Sequence, residues 1–201
     1  MIRKCLGISV FVGLLFLSHK VRAQEIVHAL CGTVNSINAD KTITLFQDNG
    51  SRANFKVMSS SGTRIAFDKK IAHEVTAARE FQKRGAYVIL FYFGGEENRT
   101  AVALKNLGAG PFSATTGEVT KWNGHDHTIS VTDKDGNERS FKIDAQTVAE
   151  TYLGAVDGSK VDMDKRERVR LVRTGPRLFC LSESSESIDI LRVSIFCVRR
   201  R

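Results

Sequence analysis

The densest cluster of side chains able to do chemistry is Trp122-Asn-Gly-His125-Asp-His127. Two histidines one residue apart fall on one strand face, where their ring nitrogens could ligate a divalent cation with Asp126 close by. A hairpin turn accounts for the same residues without a metal, and no third ligand follows at a useful spacing. His125 and His127 are therefore read as solvated turn residues, and no metal site is expected. Trp122, the only tryptophan, is read first as core and second as a stacking platform for a sugar or a base. His73-Glu74 begins like the helical zinc-protease motif, but Ala77 stands where the second histidine must sit, one turn later. The chain carries no Gly-x-Ser-x-Gly, no phosphate-binding glycine-rich loop and no dinucleotide fingerprint. General acid–base work needs convergent titratable groups, and none stand out. We expect no catalytic residue, no cofactor and no enzyme.

Basic residues stand at corresponding places before two late apolar runs, Lys83 and Arg84 in one case and Lys165, Arg166 and Arg168 in the other. They suit a solvated edge that discourages strand addition, or a patch for anionic glycans or lipid headgroups. The candidate ligand-binding set is Trp122, Arg84, Arg166 and Arg168, lining a shared groove. Asn49-Gly-Ser51 and Asn98-Arg-Thr100 match the glycosylation pattern, although turn chemistry explains each asparagine.

The elements that would position these residues are short strands. Thr42-Ile-Thr-Leu45 and Thr128-Ile-Ser-Val131 alternate apolar with polar residues, each meets an Asn-Gly or Asp-Gly turn, and each turn leads to Phe55-Lys-Val57 or Phe141-Lys-Ile143. That is a β-hairpin in each half. Gly32 and Val34 align with Gly117 and Val119 at an offset of 85, while Ile43, Gly50 and Phe55 align with Ile129, Gly136 and Phe141 at 86. We read this as a duplication. Ala86–Phe93 with Thr100–Leu104, and Arg168–Val172 with Ile188–Phe196, supply further strands. Ile71, Val75, Ala78 and Phe81 stand at helical spacing and predict a helix over 69–84 that lids the first half. The expected fold is all-β: two tandem small antiparallel β-barrels, the first with one inserted helix. Residues 24–107 form the first, 108–111 the linker Gly-Ala-Gly-Pro, 112–198 the second and 199–201 a basic tail. Each barrel would have its own core, so that truncating Phe141 should unfold the second alone.

This succession of Gly-x-Val, Thr-Ile-x-Val, an Asp-Gly turn and Phe-Lys-Val resembles the small β-barrel domain-of-unknown-function repeats of exported bacterial proteins, and is similar to bacterial oligonucleotide/oligosaccharide-binding barrels. The resemblance implies a fold; it carries no functional residue to this chain.

The start of the chain fits export. Arg3 and Lys4 precede an apolar stretch from Cys5 to Leu17, and Val21-Arg-Ala23 offers a cleavage site. At about 13 residues the stretch falls short of the roughly 20 that a spanning helix needs, so no membrane span is expected after cleavage. The chain has 30 basic and 22 acidic residues; four of the basic ones lie in residues 1–23, which leaves +4 thereafter, three of it in Arg199, Arg200 and Arg201. A nucleic-acid partner is not implied. Three cysteines follow residue 23: Cys31, Cys180 and Cys197. One pair could bridge in an oxidising compartment, and the sequence does not rank the three pairings. The expected protein is periplasmic or extracellular, a binding or structural module for an unknown envelope protein or polymer. The alternative is a barrel that binds a small anionic ligand or oligosaccharide near Trp122.

Overall fold

The computed structural model describes residues 25–59, 71, 75–144, 146–175 and 177–183. The expected signal segment (residues 1–23), His73 and Glu74, Cys197, the run 188–196 and the expected basic tail lie outside these. The described chain is all-β and forms two sheets.

The first sheet comprises β1 (His28–Ile37), β2 (Thr42–Phe46), β3 (Arg52–Val57), β4 (Thr76–Ala77), β5 (Tyr87–Phe93) and β6 (Thr100–Gly108). β1, β2 and β3 make a meander, β5 pairs with β1, and β6 pairs with β5 and, in parallel, with β3. Five strands thus close into a barrel. The second sheet repeats the order with β7 (Ser113–Asn123), β8 (Thr128–Asp133), β9 (Glu138–Lys142), β12 (Arg168–Thr174) and β13 (Arg177–Glu183), and β13 meets β9 in parallel at the single pair Arg177 with Lys142. It adds the hairpin β10 (Val148–Thr151) and β11 (Gly154–Asp157), with β10 parallel to β13.

Alternation decides which way each side chain points. Ile43, Leu45, Ala53 and Phe55 fill the first barrel with Val34, Val88 and Leu90, while Ile129, Val131, Phe141, Val169 and Leu171 fill the second sheet. Ile43 pairs with Phe55, and Ile129 with Phe141. In both halves the first strand crosses the second too closely for a side chain: a Cβ on Gly32 would lie 2.8 Å from the Phe46 carbonyl oxygen, and one on Gly117 2.4 Å from that of Thr132. Both first strands are bulged just beyond, at Val34–Ser36 and Val119–Lys121.

Among the described residues the predicted helix over 69–84 is not seen. Its described part holds Ile71, the two-residue strand β4 paired to β6, and one 3-10 turn at Ala78–Glu80. The apolar residues that suggested one helical face serve two different cores. Ala78 and Phe81 enter the first barrel, whereas Ile71 and Val75 join a cluster outside it. A single stripe could not face both. The strand that completes the second sheet against β12 is Arg177–Glu183.

Candidate functional site

The cluster outside the barrels forms the seam between the halves. β5 is apolar without alternation because both of its faces are covered: Val88 and Leu90 point into the first barrel, while Tyr87, Ile89 and Phe91 point outward. There they meet Val148, Val172 and Cys180 of the second sheet together with Val27, Ala29 and Cys31 of their own half. Cys31 and Cys180 are joined as a disulfide that links positions 149 apart in sequence.

Polar groups close the rim of this seam. His28 Nδ1 lies 2.6 Å from Glu150 Oε1, and the other carboxylate oxygen of Glu150 accepts from the Ala29 backbone N–H at 2.6 Å. The Ala155 N–H donates to the Val27 carbonyl at 2.7 Å. Gly154 at the tip of the β10–β11 hairpin lies so near that a Cβ there would come within 2.5 Å of the same oxygen. On the other flank Asp48, in the β2–β3 turn, accepts from the Tyr87 hydroxyl at 2.6 Å and is ion-paired with Arg170 of β12. Burial first, and the Asp48 carboxylate second, push the Tyr87 phenol above its usual range. Its ring stacks on Phe112 at 4.5 Å. Burial likewise raises the phenol of Tyr92 against the opposing pull of Arg99.

Two grooves adjoin the seam. One, of about 360 Å³, runs between Gln47, Asp48 and Asn49 on the first barrel and Ala114, Thr116, Arg170 and Ser182 on the second sheet, with Tyr92 and Glu150 also in its wall. The other, of about 840 Å³, follows the start of β7 and is walled by Thr115, Glu118, Thr132, Asp133, Asp135 and Arg168, among others. Ala114 and Thr116 line both, so the two adjoin.

Of the residues singled out in the sequence, Arg168 lines the larger groove, and Trp122, Arg84 and Arg166 line neither. Trp122 packs against the second core and donates its indole N–H to Asp162 at 3.1 Å. Arg84 is exposed and donates to the Ile37 carbonyl of its own half at 2.9 Å. Arg166 has φ 72° and donates its backbone N–H to the Val119 carbonyl at 2.8 Å; Gly85, with φ 74°, does the same for Val34. Its place is thus set by a backbone turn. His127 has φ 49°, and its carbonyl accepts from the Ile143 N–H. The His125 N–H donates to the Asn123 side chain. Among the described residues no group of three or more His, Cys, Asp or Glu could hold a metal ion. No helix among them is long and apolar enough to cross a membrane.

The seam residues escaped the sequence reading because no local pattern announces them. β10 and β11 are four residues each, and Glu150, Asp48 and Arg170 are ordinary surface charges until the halves meet. The unalternating run Tyr87–Phe93 was the one legible signal, since an antiparallel strand reads so when both faces are buried. No family model and no curated protein matches the chain.

Proposed function

We propose that this chain is an exported, non-enzymatic binding or structural module of the cell envelope, built from two duplicated barrels of the oligonucleotide/oligosaccharide-binding type. Support for the barrel type comes from the strand order: first strand between second and fourth, fifth between fourth and third, and the third and fifth parallel. The Cys31–Cys180 bond carries the export reading. A bridge across the seam belongs to an oxidising compartment, where reductants do not keep thiols open. Against catalysis stands the engagement of the two carboxylates at the seam groove, since Asp48 already accepts from Tyr87 and Arg170, and Glu150 has His28 and the Ala29 N–H within reach. A partner would be another envelope protein or a polymer laid along the adjoining grooves.

Mass spectrometry of fractionated cells tests the reading. The expected product begins at Gln24, sits outside the cytoplasm and carries Cys31 and Cys180 as one disulfide-linked pair of peptides. A reduced cytosolic chain that still begins at Met1 refutes it. The second reading, a small anionic ligand or an oligosaccharide, is favoured only by Arg168 in the wall of the larger groove.

A further inference from the structure

The two halves treat the same strand edge differently. In the first barrel the backbone N–H and C=O of Val34 both turn toward β5, bonded to Ala86 and Gly85. Direction alternates along a strand, so Val27 and Ala29 turn the other way, beyond the end of β2, which pairs only from Thr33 onward. There the second half meets them: Ala29 donates to Glu150 and Val27 accepts from Ala155. In the second half Val119 turns its N–H and C=O toward the β12 side, to Glu167 and Arg166. By the same alternation Ala114 and Thr116 turn away from β12. Ser113–Thr116 pair with Arg173–Arg170 on one side, while β8 pairs only from Gly117 onward. Where the first barrel has the β10–β11 hairpin, the second sheet has the groove of about 840 Å³.

We propose that this edge of β7 at Ser113–Thr116, open among the described residues, takes an extended basic segment of a partner polypeptide as an added strand. The proposal deepens the reading of the chain as a binding module and rests on it. A polypeptide is the occupant whose own N–H and C=O groups repeat at the spacing of the strand it joins, and main-chain bonding of this kind is a general mode of peptide capture. The covered edge of β1 shows the same stretch of this fold receiving backbone and carboxylate partners from outside its barrel. The charge of the occupant follows from the wall. Glu118, Asp133 and Asp135 face Lys134 and Arg168, an acidic excess on a chain whose formal charge is +8. Backbone N–H donors from Asn137 and Asp135 hold the Asp133 carboxyl below its usual range. The site also continues an interface already built, because Ala114 and Thr116 line the seam groove too. A strand laid on β7 would run on toward Gln47 and Asn49.

The test uses the full exported chain and the peptide Lys-Thr-Val-Thr-Val-Thr-Lys, with a twin N-methylated at alternate residues so that one row of backbone donors is lost. The expected result is slowed hydrogen exchange at the Ala114 and Thr116 amides with the parent peptide. Affinity should fall at least about tenfold for the methylated twin and for the Glu118→Lys/Asp135→Lys protein, and decline with salt. Equal binding of the methylated twin, protection elsewhere than β7, or no binding at about millimolar peptide overturns the proposal. So does protection of Ala114 and Thr116 by a chito-oligosaccharide instead of the peptide. A fifth result also overturns it: amides already slow in the free chain and released by deleting residues 184–201, which would mean that the tail of this chain occupies the edge. None of these readouts depends on where the protein is found, so the export reading stands or falls separately.

Discussion

Phe141→Ala probes whether the halves fold as one. Phe141 is buried in the second core, paired with Ile129 and lying under the Arg173 guanidinium. Truncating a core phenylalanine costs about 3 to 5 kcal/mol. If the halves were independent, that loss would fall on the second alone, as two separate cores imply. The seam changes the expectation. Unfolding the second half strips cover from Ile89 and Phe91 and exposes Val148 and Val172, all now buried in one cluster. At about 1.5 to 3 kcal/mol per side chain these four alone are worth about 6 to 12 kcal/mol, as large as the whole stability of an ordinary domain. A first barrel left standing would carry an exposed strand face of Tyr87, Ile89 and Phe91. The expected outcome is therefore a single transition. Exchange at the Ile43 and Leu45 amides in the first barrel should accelerate by the same two to four decades as at Ile129 and Val131 in the second, the decades following from about 1.4 kcal/mol each. Wild-type protection at Ile43 and Leu45 beside fast exchange at Ile129 and Val131 would refute the coupling.

Two further predictions concern the same seam. Replacing both Cys31 and Cys180 by serine opens a loop of 149 residues, for which the chain-entropy account gives a loss of up to about 5 kcal/mol. Thermal melting should fall by about 10 to 20 °C, and a melting temperature indifferent to the substitutions and to reductant would remove the bridge from the account. The Tyr87 phenol titrates above its usual value near 10 because burial and Asp48 disfavour the phenolate. The unfolded chain therefore releases this proton at a lower pH than the folded one. Stability from this group is fully present below about pH 10 and declines as pH rises from there. Denaturant midpoints should fall more steeply above pH 10 for the wild type than for Tyr87→Phe, and parallel curves would show that the phenol is not linked to folding.

How much of this was legible in the sequence depends on the range over which each signal acts. The hairpins were legible because Ile43, Leu45, Phe55 and their counterparts Ile129, Val131 and Phe141 report alternation within a few residues, and Gly50 and Gly136, both with φ near +80°, mark the turns between them. The 69–84 helix failed for the opposite reason. Its period of three to four residues was genuine, but Ile71 and Phe81 belong to different clusters, and a period cannot say how many partners a stripe has. Of the candidate ligand-binding set, only Arg168 borders a groove described above. Arg84 and Arg166 occupy related turns of separate halves, so the alignment that made them look like one patch instead distributes them over two bodies. Trp122 is partly buried against the second core, its indole N–H bonded to Asp162 at the margin.

What no alignment of one half on the other can give is the asymmetry between them, and function would arise there. Ala29 and Ala114 are both alanines on the first strand of their half, turned the same way; one meets Glu150 and the other a groove. The difference lies in β10 and β11, a hairpin belonging to the second sheet yet spent on the first. Its Gly154 tip fits under Val27 only because glycine leaves room there and takes φ 101°. The hairpin can cover one edge of the two. Having covered that of β1, and with Cys31 and Cys180 fixing the choice covalently, it leaves the edge of β7 open among the described residues, beside three carboxylates. Two sheets of like strand order joined this way are not equivalent, and the edge left open among the described residues is the place where a second polypeptide would find backbone donors at strand spacing.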